Sequence, residues 1–165
     1  MREIKARPVV YVIGSLRNPR VPDVAKTLRL RTGWDIFDDW YAAGPNADDH
    51  WRDYEQARGH TLAEALKGHS ARHVFEYDKS HLDRADYGVL VLPAGRSGHL
   101  ELGYLVGQGK RVIILMDGEP ERYDVMYQFA DFVVSDMDAL VASLYRFQAT
   151  VRWQEELATF APEGT

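Results

Sequence analysis

The residues best suited to chemistry in this sequence are two acids on either side of an apolar run near residue 90. Glu101 closes a glycine-rich stretch, Pro93-Ala94-Gly95-Arg96-Ser97-Gly98-His99-Leu100-Glu101-Leu102-Gly103. A helix starting near Gly98 puts Glu101 in its first or second turn. The positive end of a helix favours an ionised carboxylate, the form a nucleophile needs. The competing structural role is a capping-box glutamate reaching back to Ser97 or Gly98, although the spacing from Ser97 is one residue longer than that box uses. Asp78 lies in Tyr77-Asp78-Lys79-Ser80-His81-Leu82-Asp83-Arg84-Ala85-Asp86. It either caps a short helix or points into a cleft as a second carboxylate. Two carboxylates facing one sugar are the arrangement glycoside chemistry uses. Asp86 reads as a structural residue that stabilises the turn into the following strand.

A second group follows the first apolar run, in Gly14-Ser15-Leu16-Arg17-Asn18-Pro19-Arg20. Gly14 at a strand end lets the backbone approach a ligand closely. Ser15, exposed amides and the guanidiniums of Arg17 and Arg20 suit a phosphate; the alternative is a plain loop with solvated arginines. Trp40 and Tyr41, in Asp38-Asp39-Trp40-Tyr41-Ala42-Ala43-Gly44-Pro45, read as exposed aromatics suited to stacking on a base. Packing against the helix that carries Trp51 is the other reading.

The elements that must position these groups are short apolar runs alternating with longer amphipathic stretches. Runs at Val9–Ile13, 34–37, 88–92, 111–116 and Phe132–Val134 are apolar on both faces, as parallel strands between helix layers are. Helices are expected over 21–31, with Pro22 near the start and Gly33 after the end, and over 48–66, where Gly59 is a possible break. Further helices are expected over 100–107 and over 136–147, the last capped by Asp136 and extending toward Phe160. This alternation predicts one α/β domain over 1–165, a Rossmann-like or flavodoxin-like sandwich with a parallel sheet of about five strands flanked by helices. Ligands in such sheets bind beyond the carboxyl ends of the strands, where Glu101 and the Ser15 loop fall.

Composition removes several classes. With no cysteine among 165 residues, disulfides, thiolate catalysis and thiolate zinc sites are excluded. A formal net charge of −5 argues against a nucleic-acid polymer as partner, because phosphate neutralisation needs clustered Lys and Arg. Met1-Arg2-Glu3-Ile4-Lys5 lacks an apolar leader, and no apolar run approaches a bilayer's thickness, so a cytoplasmic protein without a membrane partner is expected. The six His show no HExxH spacing, and Asp48-Asp49-His50 reads as a solvated helix start rather than a metal site. Gly103-x-x-x-Gly107-x-Gly109 lies inside and at the end of a helix, unlike a dinucleotide fingerprint, and there is no phosphate-loop lysine motif.

Three blocks, spanning roughly residues 9–116, together resemble the nucleoside 2-deoxyribosyltransferase family, including its branch of deoxynucleoside 5′-monophosphate N-glycosidases. They are Gly14-Ser15-Leu16-Arg17-x-x-Arg20, then Asp78-x-x-x-Leu82-x-x-Ala85-Asp86, and the glycine-rich loop ending in Glu101-Leu102-Gly103. The resemblance implies that Glu101 attacks the anomeric carbon to form a glycosyl-enzyme and that Asp78 protonates the departing base. It further implies that Ser97 and the backbone donors of Gly95 and Gly98 contact sugar hydroxyls or phosphate. No cofactor or metal is implied. The family assembles as homodimers or larger homo-oligomers in which a neighbour completes the pocket, with Met126-Tyr127 the candidate contribution here. The transferase branch carries an Asp several residues before the nucleophile, where this chain has Gly95-Arg96-Ser97. With Arg17 and Arg20, this favours a nucleoside 5′-monophosphate as the small-molecule substrate and cleavage of its N-glycosidic bond. Base exchange between deoxynucleosides is the nearest alternative, followed by NAD glycohydrolysis and a non-catalytic nucleotide sensor.

Overall fold

A computed structural model describes the backbone of residues 7–160 and the side chains of residues 7–154. Residues 1–5, the segment expected to lack a leader, lie outside the described residues, as do the last few of the expected 1–165 domain. Five strands form one all-parallel sheet: β1 (Val9–Ile13), β2 (Asp35–Phe37), β3 (Tyr87–Val91), β4 (Arg111–Leu115) and β5 (Phe132–Val134), in the spatial order β2-β1-β3-β4-β5. This is the flavodoxin-like of the two expected orders. The central strands are buried on both faces, which explains their continuous apolar sequence.

Helices cover both faces. On one side α1 (Arg20–Thr32) and α6 (Met137–Phe160) enclose Val10, Val12, Val89, Ile113, Leu28, Leu140 and Phe147. On the other, α4 (His69–Arg84) and α5 (Arg96–Gly107) close over Tyr11, Ile13, Leu90, Ile114, Leu82, Leu102 and Leu105. The punctuation expected of α1 and α6 is present. Gly33 caps α1 with its N–H on Arg29 O at 3.0 Å, and the Asp136 carboxylate accepts from Ala139 N at 2.8 Å. Asp86 accepts from Val9 N at 2.8 Å, tying the start of β3 to β1 as expected of a structural residue.

Two helix expectations need correction. The single helix expected over 48–66 is two, α2 (Ala47–Ala57) and α3 (Leu62–Ala65), divided at Gly59, whose φ of +77° side chains rarely adopt. The second is α4, a 16-residue helix unmarked in the sequence because Leu82 is its one buried residue among those described. Its apolar stripe, Phe75 and Leu82 two turns apart, is interrupted by Asp78, so it does not read as continuous at helical spacing. Asp78 therefore does not cap a short helix; it sits in the third turn of a long one.

Gly14 follows β1, and the space a side chain would need there is already filled. A Cβ on Gly14 would come within 2.5 Å of Val21 Cγ2 and 3.6 Å of Trp40 Cη2. The close approach it permits is that of α1 to the sheet. Val21 is held by its own χ1 preference and by full burial. Gly14→Ala should therefore destabilise the fold by about 1–3 kcal/mol, read as a lower urea midpoint; an unchanged midpoint would show that α1 can retreat freely.

Candidate functional site

The switch point of the sheet lies between β1 and β3. The connection from β1 passes to α1 on one face, while that from β3 passes to α5 on the other. The two loops diverge and leave a crevice at the carboxyl edge. An open concavity of about 320 Å³ lies there, lined by Ser15, Arg17, Asn18, Arg20, Gly95 and Asp117, with Pro19, Pro93 and Ala94 between them.

Asn18 holds the two loops together, a role the sequence did not reveal. It is 3% exposed. Its Nδ2 donates to Val91 O at 3.3 Å and Pro93 O at 3.1 Å, and its Oδ1 accepts from Arg20 N at 3.0 Å. The only sequence signal was its place before Pro19, at a helix start.

The arginines expected to bind phosphate do line the concavity, but both are already engaged. Arg20 is the first residue of α1, and its guanidinium donates to Leu92 O at 2.6 Å and Met116 O at 3.1 Å while pairing with Asp117 at 3.1 Å. Arg17 pairs with Asp49 at 2.6 Å and reaches Pro45 O at 3.3 Å. Ser15 Oγ accepts from Arg17 N at 3.2 Å, closing the loop on itself. Leu16 is half-buried beside this loop and outside the concavity's lining.

The acids sit on the α4/α5 side of the same edge. Gly95 precedes α5 and lines the concavity, while Glu101 lies in the second turn of that helix. Asp78 stands one helical turn before the buried Leu82 on α4, on the stripe that faces the sheet. Burial raises the Glu101 pKa to about 8, with repulsion from Asp78 as the second cause. Burial also raises that of Asp78 above the usual carboxylate range. The repulsion is felt at Glu101 because Asp78 ionises first, so the second proton leaves an already charged pair. The expectation that the helix end keeps Glu101 ionised is corrected. With α5 starting at Arg96, Glu101 lies beyond the first turn, where the helix field has faded, and desolvation wins. The capping-box alternative is absent too, because Gly95 has no side chain to cap with.

Tyr11 completes this group and was missed as a strand filler. Burial, then the charges of Glu101, Asp78 and Tyr77, drive its phenol pKa upward, so it remains a neutral hydroxyl beside the acids. Its signal was positional: in β1 it shares a face with Val9 and Ile13, the face α4 and α5 cover. Phe37 and Tyr77 pack around it, with ring centroids 5.1 Å apart for Tyr11–Phe37 and 6.1 Å for Phe37–Tyr77. His81 stacks on Phe37 at 3.8 Å and accepts from Arg84 Nε at 2.8 Å. Burial and Arg84 lower its pKa, so His81 serves as a neutral packing ring rather than an acid.

Other expected contacts fall elsewhere. Trp40 is partly buried, with its indole N–H on Val12 O at 2.9 Å, so it anchors the β2 loop to β1 and is not a freely exposed stacking ring. Gly98 is a buried residue of α5, where a Cβ would lie 3.3 Å from both Ile13 Cγ2 and Leu90 Cδ1, so its lack of a side chain lets the helix pack closely on the sheet. Ser97 is exposed at the second position of α5, outside the concavity's lining. Tyr127 rests on its own chain's His99, with rings 6.1 Å apart and near parallel. Among the described residues no group of three His, Asp or Glu could hold a metal ion, and no helix is long and apolar enough to cross a membrane.

The sequence matches no family model and no curated protein. Its fold is similar to that of a 2-deoxyribosyltransferase from the psychrotolerant bacterium Bacillus psychrosaccharolyticus, with a TM-score of 0.54 and 16% identity over 81% of this chain and 90% of that one. A second similar structure is the CMP N-glycosidase BcmB of Clostridium botulinum, with a TM-score of 0.49 and 12% identity over 82% of this chain and 97% of that one. At 16% identity the first likeness shows the fold.

Because Glu101 holds its proton more tightly folded than unfolded, its contribution to stability is full at acid pH and is lost as pH rises toward about 8. Glu101→Gln carries no such loss. The variant should gain stability over the natural protein progressively from about pH 5 to 8, reaching about 3–5 kcal/mol. Urea unfolding at several pH values measures this, and a constant difference across that range would contradict the raised pKa.

Proposed function

We propose that this protein is an enzyme that cleaves the N-glycosidic bond of a (deoxy)nucleoside 5′-monophosphate, with Glu101 as nucleophile and Asp78 as proton donor. The observation that carries this reading is the pair of buried carboxylates, with the Asp78 charge raising the Glu101 pKa and Glu101 on the helix that follows Gly95, a residue of a concavity holding two arginines. Between the two ionisations the pair holds one proton and one negative charge. That is the composition glycosidic cleavage requires: one acid for the leaving group and one carboxylate for the sugar. Before positive charge develops on a substrate, the proton resides mainly on Glu101. Positive charge developing at the anomeric carbon favours ionised Glu101 and shifts the proton to Asp78.

In the first step Glu101 forms a bond to C1′ as the C1′–N bond breaks, and Asp78 gives its proton to the departing base. In the second, the Asp78 carboxylate takes a proton from water, whose oxygen attacks C1′ and releases Glu101. A deoxy sugar suits this path, because without an electron-withdrawing 2′-hydroxyl the oxocarbenium-like transition state forms more readily. The neutral Tyr11 hydroxyl is placed beside the pair to support whichever carboxylate is charged. Transfer of the deoxyribosyl group to a second base is the other reading. It is favoured by the pairing of both arginines with aspartates, which suits a substrate without phosphate.

We also infer a homo-oligomer, supported by the exposed apolar Val74 and Phe75 on α4 and Leu100 on α5. Sedimentation at a multiple of 18.8 kDa checks this, and a monomer at high concentration overturns it.

The activity test is a panel of deoxynucleosides, their 5′-monophosphates and NAD, with and without an acceptor base, followed by chromatography. Base release from monophosphates is expected, with a loss of at least about 10³-fold in Glu101→Ala. Base exchange would establish transfer instead, and turnover of NAD alone would replace both. The kcat/KM profile should be bell-shaped and fall above about pH 8, where the pair loses its last proton. Activity that climbs through pH 8 would remove Asp78 as the proton donor.

A further inference from the structure

We propose that Asp117 is a specificity-determining residue of this site. Its carboxylate occupies the position on Arg20 that the anionic group of a ligand takes, so phosphate binds only by exchanging with it. The inference rests on the N-glycosidase reading for the identity of the phosphate, but its geometry is independent of that reading.

Arg20 cannot follow a departing partner. Its guanidinium is fixed by two main-chain carbonyls beyond the ends of β3 and β4, Leu92 O at 2.6 Å and Met116 O at 3.1 Å. Asp117, the residue after Met116, meets the same guanidinium at 3.1 Å from inside the concavity. Asp117 is the freer partner: its side chain is 56% exposed, and among the described residues its ion pair is with Arg20. Arg17 differs, being 63% exposed and turned to Asp49 and Pro45 O outside the concavity's lining.

A guanidinium binds carboxylate and phosphate oxygens through the same charge-assisted bonds, and it cannot satisfy both at one position. Two anions at that distance would also repel each other. A phosphate entering the concavity must therefore displace the Asp117 carboxylate, whereas a neutral 5′-hydroxyl need not. Asp117 thus weights the site toward neutral ligands, and the ease of its displacement sets how well a monophosphate competes.

The test compares the natural protein with Asp117→Asn, which keeps the shape and removes the charge, and with Asp117→Ala as a second version. Calorimetric titration with inorganic phosphate gives binding without turnover. The kcat/KM ratio for a deoxynucleoside 5′-monophosphate over its deoxynucleoside gives specificity. Asp49→Asn, which releases the exposed Arg17, is the comparison.

Both Asp117 variants should bind phosphate about tenfold more tightly and raise the ratio by a similar factor, mainly through a lower KM for the monophosphate. Asp49→Asn should change either quantity by less than about twofold, because that pair is solvent-screened. Equal phosphate affinity in all proteins, no phosphate binding in any, or an equal gain from Asp49→Asn would each overturn the proposal. Tighter phosphate binding in the Asp117 variants without base release from any substrate would support it while sinking the N-glycosidase reading. Base release with unchanged phosphate affinity would do the reverse.

Discussion

The pairing of β1 with β3 is the constraint on which the rest of the molecule depends. Val10 faces Tyr87, Tyr11 faces Gly88, Val12 faces Val89 and Ile13 faces Leu90, all in parallel. Parallel neighbours cannot be joined by a tight turn, so each strand feeds a helix that must return across a face of the sheet. Here the two helices take opposite faces, and their departing loops cannot close on each other. The crevice follows from that topology before any side chain is chosen. The register also places the missing side chain of Gly88 beside Tyr11. Leu105 of α5 descends into that space, since a Cβ on Gly88 would lie 2.4 Å from Leu105 Cδ1. The helix that carries Glu101 is thereby seated hard against β3, the neighbour of the strand that carries Tyr11.

Seating acids against an apolar sheet has an energetic consequence. Glu101 and Asp78 are packed where desolvation disfavours both charges, and the Asp78 charge makes ionisation of Glu101 harder still. The native fold carries this as a local instability, held in place by the aliphatic core beneath it. A site built this way has its proton inventory set near neutrality before a substrate arrives. The concavity nearby is arranged on the opposite principle. Its arginines are charge-balanced, Arg20 by Asp117 within the concavity and Arg17 by Asp49 outside its lining. One part of the site stores unfavourable electrostatics, and the other holds satisfied ion pairs.

Strands were legible because their signal is local. A run such as Val9–Ile13 must be apolar on both faces to lie between two helix layers, and no other arrangement needs that pattern. The strongly punctuated helices were legible for the same reason, through Gly33 and Asp136. The helix α4 was not, because the stripe shared by Phe75 and the buried Leu82 is interrupted by Asp78, while Val74, Phe75 and Tyr77 stay exposed. The start of α5 was placed late because Ser97 and Gly98 are poor helix formers, an intrinsic preference that packing of Gly98 on Ile13 and Leu90 overrides.

By itself, then, the sequence determined the layered parallel architecture, the edge at which chemistry could occur, and the types of group available there. It could do so because strand periodicity, helix caps and side-chain chemistry belong to residues near one another in the chain. Only the tertiary structure decided what those groups are engaged in. It set Asp78 and Glu101 against each other, made Tyr11 part of their surroundings, turned Gly14 and Gly98 into packing positions, and paired Arg20 with Asp117 across 97 residues of chain. Protonation, desolvation and ion pairing depend on distances between residues remote in sequence, and those distances exist only once the sheet has closed.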